Sequence, residues 1–197
     1  GYYVGEITWV FIYGICGVSL MVLVGYTGLL SLGHAAFLGI GAYAHAYFLQ
    51  HGVPWVACVA LAVMITTACG IVVGLPALRM TGIYLAIATI AFNVIIEEIV
   101  TRWDSVTGGN SGKHLKTIDI FGWRMETDVH FYFVCLALTV ICALGCINLL
   151  RSPTGRAFVA IRDSEISAQS MGIYLAKYKT MSFAVSAALT GLAGGLY

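Results

Sequence analysis

From Ile7 to Leu78 the chain contains no Asp, Glu, Lys or Arg, an uncharged run of 72 residues. A soluble fold has nowhere to put it, since soluble domains carry charge on about a quarter of their residues; this chain carries it on 10%. A bilayer does have a place, because about 20 apolar residues cross its hydrocarbon core as one helix, so the run is long enough for three crossings. Gly and Pro mark the divisions. The first crossing is read over Ile7 to Val24, the second over Leu29 to Leu49 and the third over Trp55 to Leu75, with turns near Tyr26-Thr27-Gly28 and from Gln50 to Pro54. A fourth runs from Ile83 to Ile96 into Glu97 and Glu98, a fifth from Val129 to Leu150, and a sixth starts near Met181. The predicted fold class is an all-α integral membrane protein with about six transmembrane helices in one domain over residues 1–197. The first segment is not read as a signal peptide, because it lacks a basic amino-terminal region and further apolar segments follow it. The chain begins at Gly1 without Met and stops at Tyr197 within an unfinished crossing, so a fragment of a longer protein is expected.

Between the fifth and sixth crossings lies the one long polar helix candidate, residues 151–180. Ser152 is a candidate N-cap and Pro153 occupies the first helical position, where its missing N–H costs nothing; Gly172 is a plausible stop. Phe158, Ile161, Ala168 and Met171 fall near one face and Arg156, Arg162, Asp163 and Gln169 elsewhere, the pattern of an amphipathic helix outside the bilayer. Arg151, Arg156, Arg162, Lys177 and Lys179 are half of the ten basic residues, set against Asp163 and Glu165, so the positive-inside rule makes this loop cytoplasmic. Counting crossings outward puts Arg79 and residues 25–28 on the same side, and Gly1, 50–54 and 101–128 on the other. The 101–128 loop has four basic and four acidic residues around Thr107-Gly108-Gly109-Asn110-Ser111-Gly112, a balance suited to the outer face.

The second informative stretch runs from Gly25 to Tyr43. Its glycines and alanines, including Gly33, Gly39, Gly41 and the spaced pairs Ala35/Gly39 and Ala42/Ala46, let helix backbones approach closely in lipid. Two readings fit: a tightly packed interior helix, or a broken helix, which its Gly and Ser residues permit, whose N–H groups and positive dipole end meet a substrate carboxylate near the midplane. His34 is the ionisable group within it and so a functional candidate, but no acid lies nearby, and a neutral ring bonded to a neighbouring helix is the preferred reading. The hydroxyls of Ser31 and Thr89 are either path-lining contacts or bonds back to their own helices. Glu97 and Glu98 are adjacent and cannot face each other as a catalytic pair on a helix. Cys142 and Cys146 share a helix face, yet without His or carboxylate beside them they, like Cys16, Cys58, Cys69 and Cys135, read as packing residues and not metal ligands. No nucleophile and base pair suggests an enzyme, no Gly-Lys-Ser/Thr loop binds nucleotide, and a net charge of +1 gives no reason to expect nucleic acid.

Three runs carry a family resemblance. RSPTGRAFVAIRDSEISAQSMGI (151–173), SLGHAAFLGIGAY (31–43) and LRMTGIYLAIATIAF (78–92), with the turn at 107–112, resemble the LivM-type permease subunits of ATP-binding-cassette importers for branched-chain amino acids. The third run favours LivM-like over LivH-like subunits. Two departures stand out: the broad Glu-Ala-Ala-x-x-x-Gly permease signature is only loosely met by Glu165, Ile166, Ser167, Ala168 and Gly172, and Ile83 stands where the family often has Asp. The resemblance implies a bacterial or archaeal cytoplasmic membrane protein whose 151–180 loop is a coupling loop, with Gly155, Arg156, Ala157, Ile161, Arg162, Asp163, Glu165, Ala168 and Gly172 meeting cytoplasmic ATPase subunits. It also implies a second related permease, an external solute-binding protein, and ATP and Mg bound by the partners, with no cofactor in this chain. A tentative substrate path is Ser31, Gly33, His34, Gly39, Gly41 and Thr89. A urea or short-amide importer and a passive helical channel are the alternatives.

Overall fold

The computed structural model describes residues 2–80, 82–103, 119–120, 123–124 and 128–197. Its helices are α1 (Tyr2–Leu20) continued by a π-helical turn (Met21–Tyr26), α2 (His34–Gln50), α3 (Trp55–Ala77), α4 (Ile83–Arg102), α5 (Asp128–Arg151), α6 (Pro153–Asp163), α7 (Glu165–Ser170) and α8 (Leu175–Leu196). A two-residue antiparallel pair, β1 (Asp119–Ile120) with β2 (Trp123–Arg124), is a small addition to the all-α expectation. The glycine turn at 107–112 lies outside the described residues.

Among the described residues, four stretches are long and apolar enough to cross a membrane: Tyr3–Tyr26, Trp55–Pro76, Ile83–Arg102 and Val129–Arg151. They correspond to the first, third, fourth and fifth predicted crossings. The other two differ for identifiable reasons. Leu29 to Gly33 is not helical, which trims α2 to 17 residues, about 26 Å at 1.5 Å per residue. Helix α8 begins six residues earlier than the predicted start at Met181, and its lysines, hydroxyls and glycines dilute its apolarity.

That least apolar of the long helices is the centre of the molecule. Helix α8 packs against α1, α2, α3, the π turn, α6 and α7. Lys179, Ser182, Phe183, Ser186, Ala187, Thr190, Gly191 and Gly194, at spacings of three and four, form its buried face. Glycines set the distances. A Cβ at Gly41 would lie 2.7 Å from the Gly191 carbonyl oxygen, a Cβ at Gly191 would overlap the Thr66 hydroxyl of α3, and one at Gly194 would overlap the Leu38 carbonyl of α2. Close backbone approach of this kind is how helices associate where lipid offers no hydrophobic driving force. Gly39, by contrast, meets nothing within 4 Å and Ala35 is exposed, so that predicted small-residue pair is not at the contact. Gly33 does make a close approach, to Thr89 of α4, and Gly195 makes only ordinary contact with Val59.

Apolar clusters fill the gaps between these helices. Ile12, Ile15, Cys135, Cys142, Ala193 and Leu196 join α1, α5 and α8, while Val22, Cys146 and Phe158 lock the π turn and α5 onto α6. The cysteines thus serve as small packing residues, and all six are free thiols. Among the described residues no three His, Cys, Asp or Glu side chains gather closely enough to hold a metal.

Candidate functional site: a loop-to-core junction and a broken helix

The 151–180 loop forms two helices where the sequence predicts one. The start is as expected: Ser152 caps α6, its Oγ accepting from the Gly155 N–H, and Pro153 follows it. Gly155 is obligatory for a different reason, since a Cβ there would run into the backbone of Leu150 in the turn from α5. The break comes at Ser164, whose extended backbone (φ −163°, ψ 112°) ends α6 and whose Oγ accepts from the Ser167 N–H to cap α7. The stop at Gly172 has φ +86°, with the Ile173 N–H donating to the Ala168 carbonyl and the Gly172 N–H to Gln169, a Schellman closure.

Phe158, Ile161 and Ala168 are buried as the amphipathic pattern predicts, Ala157 is buried with them, and Arg156, Arg162 and Asp163 are exposed. Met171 departs from the prediction. It is 84% exposed, because the helix ends at Ser170 and Met171 lies in the turn beyond it; Ile166, which the pattern did not place on that face, is equally exposed. With Tyr174 they leave large apolar side chains beside the basic residues on the loop's outer surface.

Two polar contacts fasten the loop to the core. The Arg162 Nη1 donates to the Gly25 carbonyl at 2.8 Å, and a Cβ on Gly28, which sits at φ +71°, would press within 2.7 Å of the Arg162 Cγ. On the far side of Ser164, the Glu165 carboxylate meets the ammonium of Lys179 at 2.7 Å. The loop therefore lies at the same end of the helices as residues 25–28. Leu78, at the end of α3, lines a cleft there with Gln169, Tyr174 and Lys179, so the three segments assigned to one side by counting crossings do sit together.

The Gly25–Tyr43 stretch is a broken helix. Leu29 to Gly33 crosses to α4, where the Leu32 N–H donates to the Thr89 Oγ1 at 3.0 Å and Thr89 in turn donates to the Ala86 carbonyl. Ser31 Oγ accepts from the Gly33 N–H, and α2 starts at His34 with no side-chain cap. Ser31, Gly33 and Thr89 thus come together as one cluster of the predicted path. His34 joins it from the other side. Its Nε2 is 2.8 Å from the Ser186 Oγ of α8, and its Nδ1 is buried with no hydrogen-bond partner among the described residues. Gly39 and Gly41 are not part of this cluster, and Gly41 serves the α2–α8 contact instead. Glu98 is ion-paired with Arg102 one turn on, so the adjacent glutamates belong to the end of α4.

Sequence reasoning missed the partners on α8 and α1. Ser19 Oγ donates to the Ser186 carbonyl at 2.8 Å and lies within hydrogen-bond range of the Ser186 and Thr190 hydroxyls, all fully buried. The signal was present in the four-residue spacing of Ser182, Ser186 and Thr190. Lys179 was counted only as a basic charge of the loop, yet it is 1% exposed.

The sequence profile describing the family "Branched-chain amino acid transport system / permease component" matches residues 2–197. A high-affinity branched-chain amino acid transport system permease protein, LivM, of Salmonella typhimurium is 34% identical over 96% of this chain and 51% of its own length. The LivM protein of Escherichia coli is 34% identical over 94% of the chain and 50% of its own. A probable branched-chain amino acid transport permease protein LivM of Methanocaldococcus jannaschii is 27% identical over 70% of the chain and 41% of its own. The chain thus spans about half the length of the curated relatives it matches. No solved structure is matched at a significant level.

Proposed function

The chain belongs to the branched-chain amino acid transport system permease family, and from that premise we propose that it forms the core of the membrane-spanning subunit of an ATP-driven importer for Leu, Ile, Val or similar apolar amino acids. In this reading α2 and α8 cross the bilayer beside the four long apolar helices, giving six crossings, with α6 and α7 on the cytoplasmic side of a bacterial or archaeal inner membrane. Two cytoplasmic ATPase subunits bind the exposed loop surface and supply ATP and Mg. A related second permease completes the path, and an external solute-binding protein delivers substrate.

The observation that carries this reading is the build of the 151–180 loop. The loop is fixed to the end of α1 and to α8 through Arg162, Phe158 and Glu165, while Arg156, Asp163, Ile166, Met171 and Gly172 are exposed where a partner can meet them. A loop of this kind moves the helices when its outer face is pulled. The substrate path runs past Ser31, Gly33, His34 and Thr89. There the uncapped start of α2, whose helix dipole favours an anion, and the unpartnered ring nitrogen of His34 suit the charged end of an amino acid. The apolar surroundings suit its side chain. Gly39 and Gly41 leave the proposed path, Gly41 as a packing residue.

Labelled leucine uptake by vesicles holding the full-length subunit with its co-encoded partners tests the proposal. ATP-dependent uptake blocked by excess valine and not by urea is the expected result. Uptake indifferent to internal ATP would show a passive channel, and block by urea alone would keep the architecture and replace the substrate.

A further inference from the structure

We propose that Lys179 is the positioning residue through which movement of the α6–α7 loop enters the helix core, its ion pair with Glu165 acting as a strut between the loop and α8. The inference rests on the transporter reading above and adds to it a residue and a route. Lysine is almost never fully buried unless paired. Lys179 is 1% exposed, and the carboxylate of Glu165, at 2.7 Å, is its ion-pair partner. Glu165 lies on α7, one residue beyond the break at Ser164, and Lys179 lies on α8, so the pair spans two elements joined otherwise by the turn at 171–174.

The second fastening of the loop is weaker by its nature. Arg162, two residues before Ser164, reaches the Gly25 carbonyl from an exposed position, where solvent screens the charge and competes for the donor. Of the loop's two polar fastenings, set on either side of one extended residue, the one to the end of α1 is thus exposed and the one to α8 buried, while Phe158 packs α6 against Val22. A cleft of about 240 Å³, lined by Leu78, Gln169, Tyr174 and Lys179, opens beside the pair and gives the lysine side chain room to follow α7.

What Lys179 would transmit follows from its place on α8. One turn on, Phe183 packs against Gly70 and Gly74 of α3. Two turns on, Ser186 holds both Ser19 of α1 and His34 at the start of α2. A displacement imposed at Lys179 therefore reaches three other helices within two turns, including the broken helix of the proposed path.

The test uses the full-length subunit assembled with its ATPase, permease and binding-protein partners in vesicles, with leucine uptake and ATP hydrolysis measured in the same preparation. In Lys179→Met, assembly and hydrolysis persist while uptake per ATP falls roughly tenfold, the size of a typical coupling between sites, and Glu165→Gln lowers the same ratio whatever its hydrolysis rate. Lys179→Arg retains most of the ratio, and the exchanged pair Glu165→Lys with Lys179→Glu recovers part of what either single change loses. An unchanged uptake per ATP in both neutral variants would overturn the proposal. Should Glu165→Gln fail to assemble, because it leaves the buried ammonium unpaired, Lys179→Met decides alone, since it removes that charge and leaves the partly exposed carboxylate to solvent. Wild-type uptake that ignores ATP would instead sink the transporter reading, a result separable from either outcome.

Discussion

Helices α4 and α8 are nearly the same length, 20 and 22 residues, and are built on opposite principles. Helix α4 is rich in Ile and Val, yet only 11% of its crossing window is buried, and α2 is the helix it packs against most extensively. Helix α8 is rich in Gly, Ala, Ser and Thr, and half of it is buried among the other helices. In water the more apolar helix would be the inner one. In lipid the order inverts, because large apolar side chains are already satisfied by acyl chains, and only small residues and hydrogen-bonding groups gain from meeting protein. Apolarity along this chain therefore marks the outside, and its dilution marks the core.

The largest effect that would sharpen this contrast is expected at Gly191. A valine there would drive its side chain into Thr66, and Gly191→Val should cost about 3 kcal/mol or more by overpacking. Loss of folded subunit in detergent, measured by thermal unfolding, would show it; a stable Gly191→Val protein would mean that α3 and α8 are not in contact as described. Next comes Ser186→Ala, which removes the hydroxyl shared by Ser19 and His34 and should cost about 1–2 kcal/mol, since it forfeits two buried hydrogen bonds that average about 0.6 kcal/mol each in membranes. A Ser19→Ala, Ser186→Ala double mutant should cost less than the sum of the two.

On α4 the expected effects are small. Val94→Ala, at an exposed position, should change stability by no more than about 0.5 kcal/mol. If it instead weakens co-purification with the proposed second permease, the exposed face of α4 is an interface and the contrast with α8 narrows to the isolated chain. The one change expected to stabilise is Ile83→Asp. Ile83 opens α4 and is exposed, so an acid there would meet the positive end of the helix dipole and stabilise by at most about 1 kcal/mol.

What could be read from the sequence follows the same division. The long charge-free run and the two apolar segments after it announced membrane-length helices directly, and α1, α3, α4 and α5 lie where they put them. Local chemistry was equally legible: Ser152-Pro153 and Gly172 act through their own backbones, so the start and stop of the loop needed no knowledge of neighbours. The break at Ser164 was not legible, because the residues around it favour a continuing helix and the pairing of Glu165 with Lys179 is a tertiary contact. Lys179 itself was hidden by its charge, which in one dimension reads as solvent. At the second site Ser31 and Thr89 were singled out for their hydroxyls and Gly33 for its small size, and the three do converge. Gly39 was singled out for its spacing, but spacing alone does not say which face of α2 meets α8.

The π-helical turn at Met21–Tyr26 was not visible in the sequence either, and it gives the end of α1 an unusual mechanical property. A π turn winds more chain into each revolution than an α turn does. Rewinding it as α would release slack of about one residue, roughly 1.5 Å of rise and a rotation of about 100° for everything beyond it. The turn at residues 25–28, which Arg162 holds from below, could thus be drawn out or taken in while Ile12, Ile15 and Ser19 above keep their places against α5 and α8.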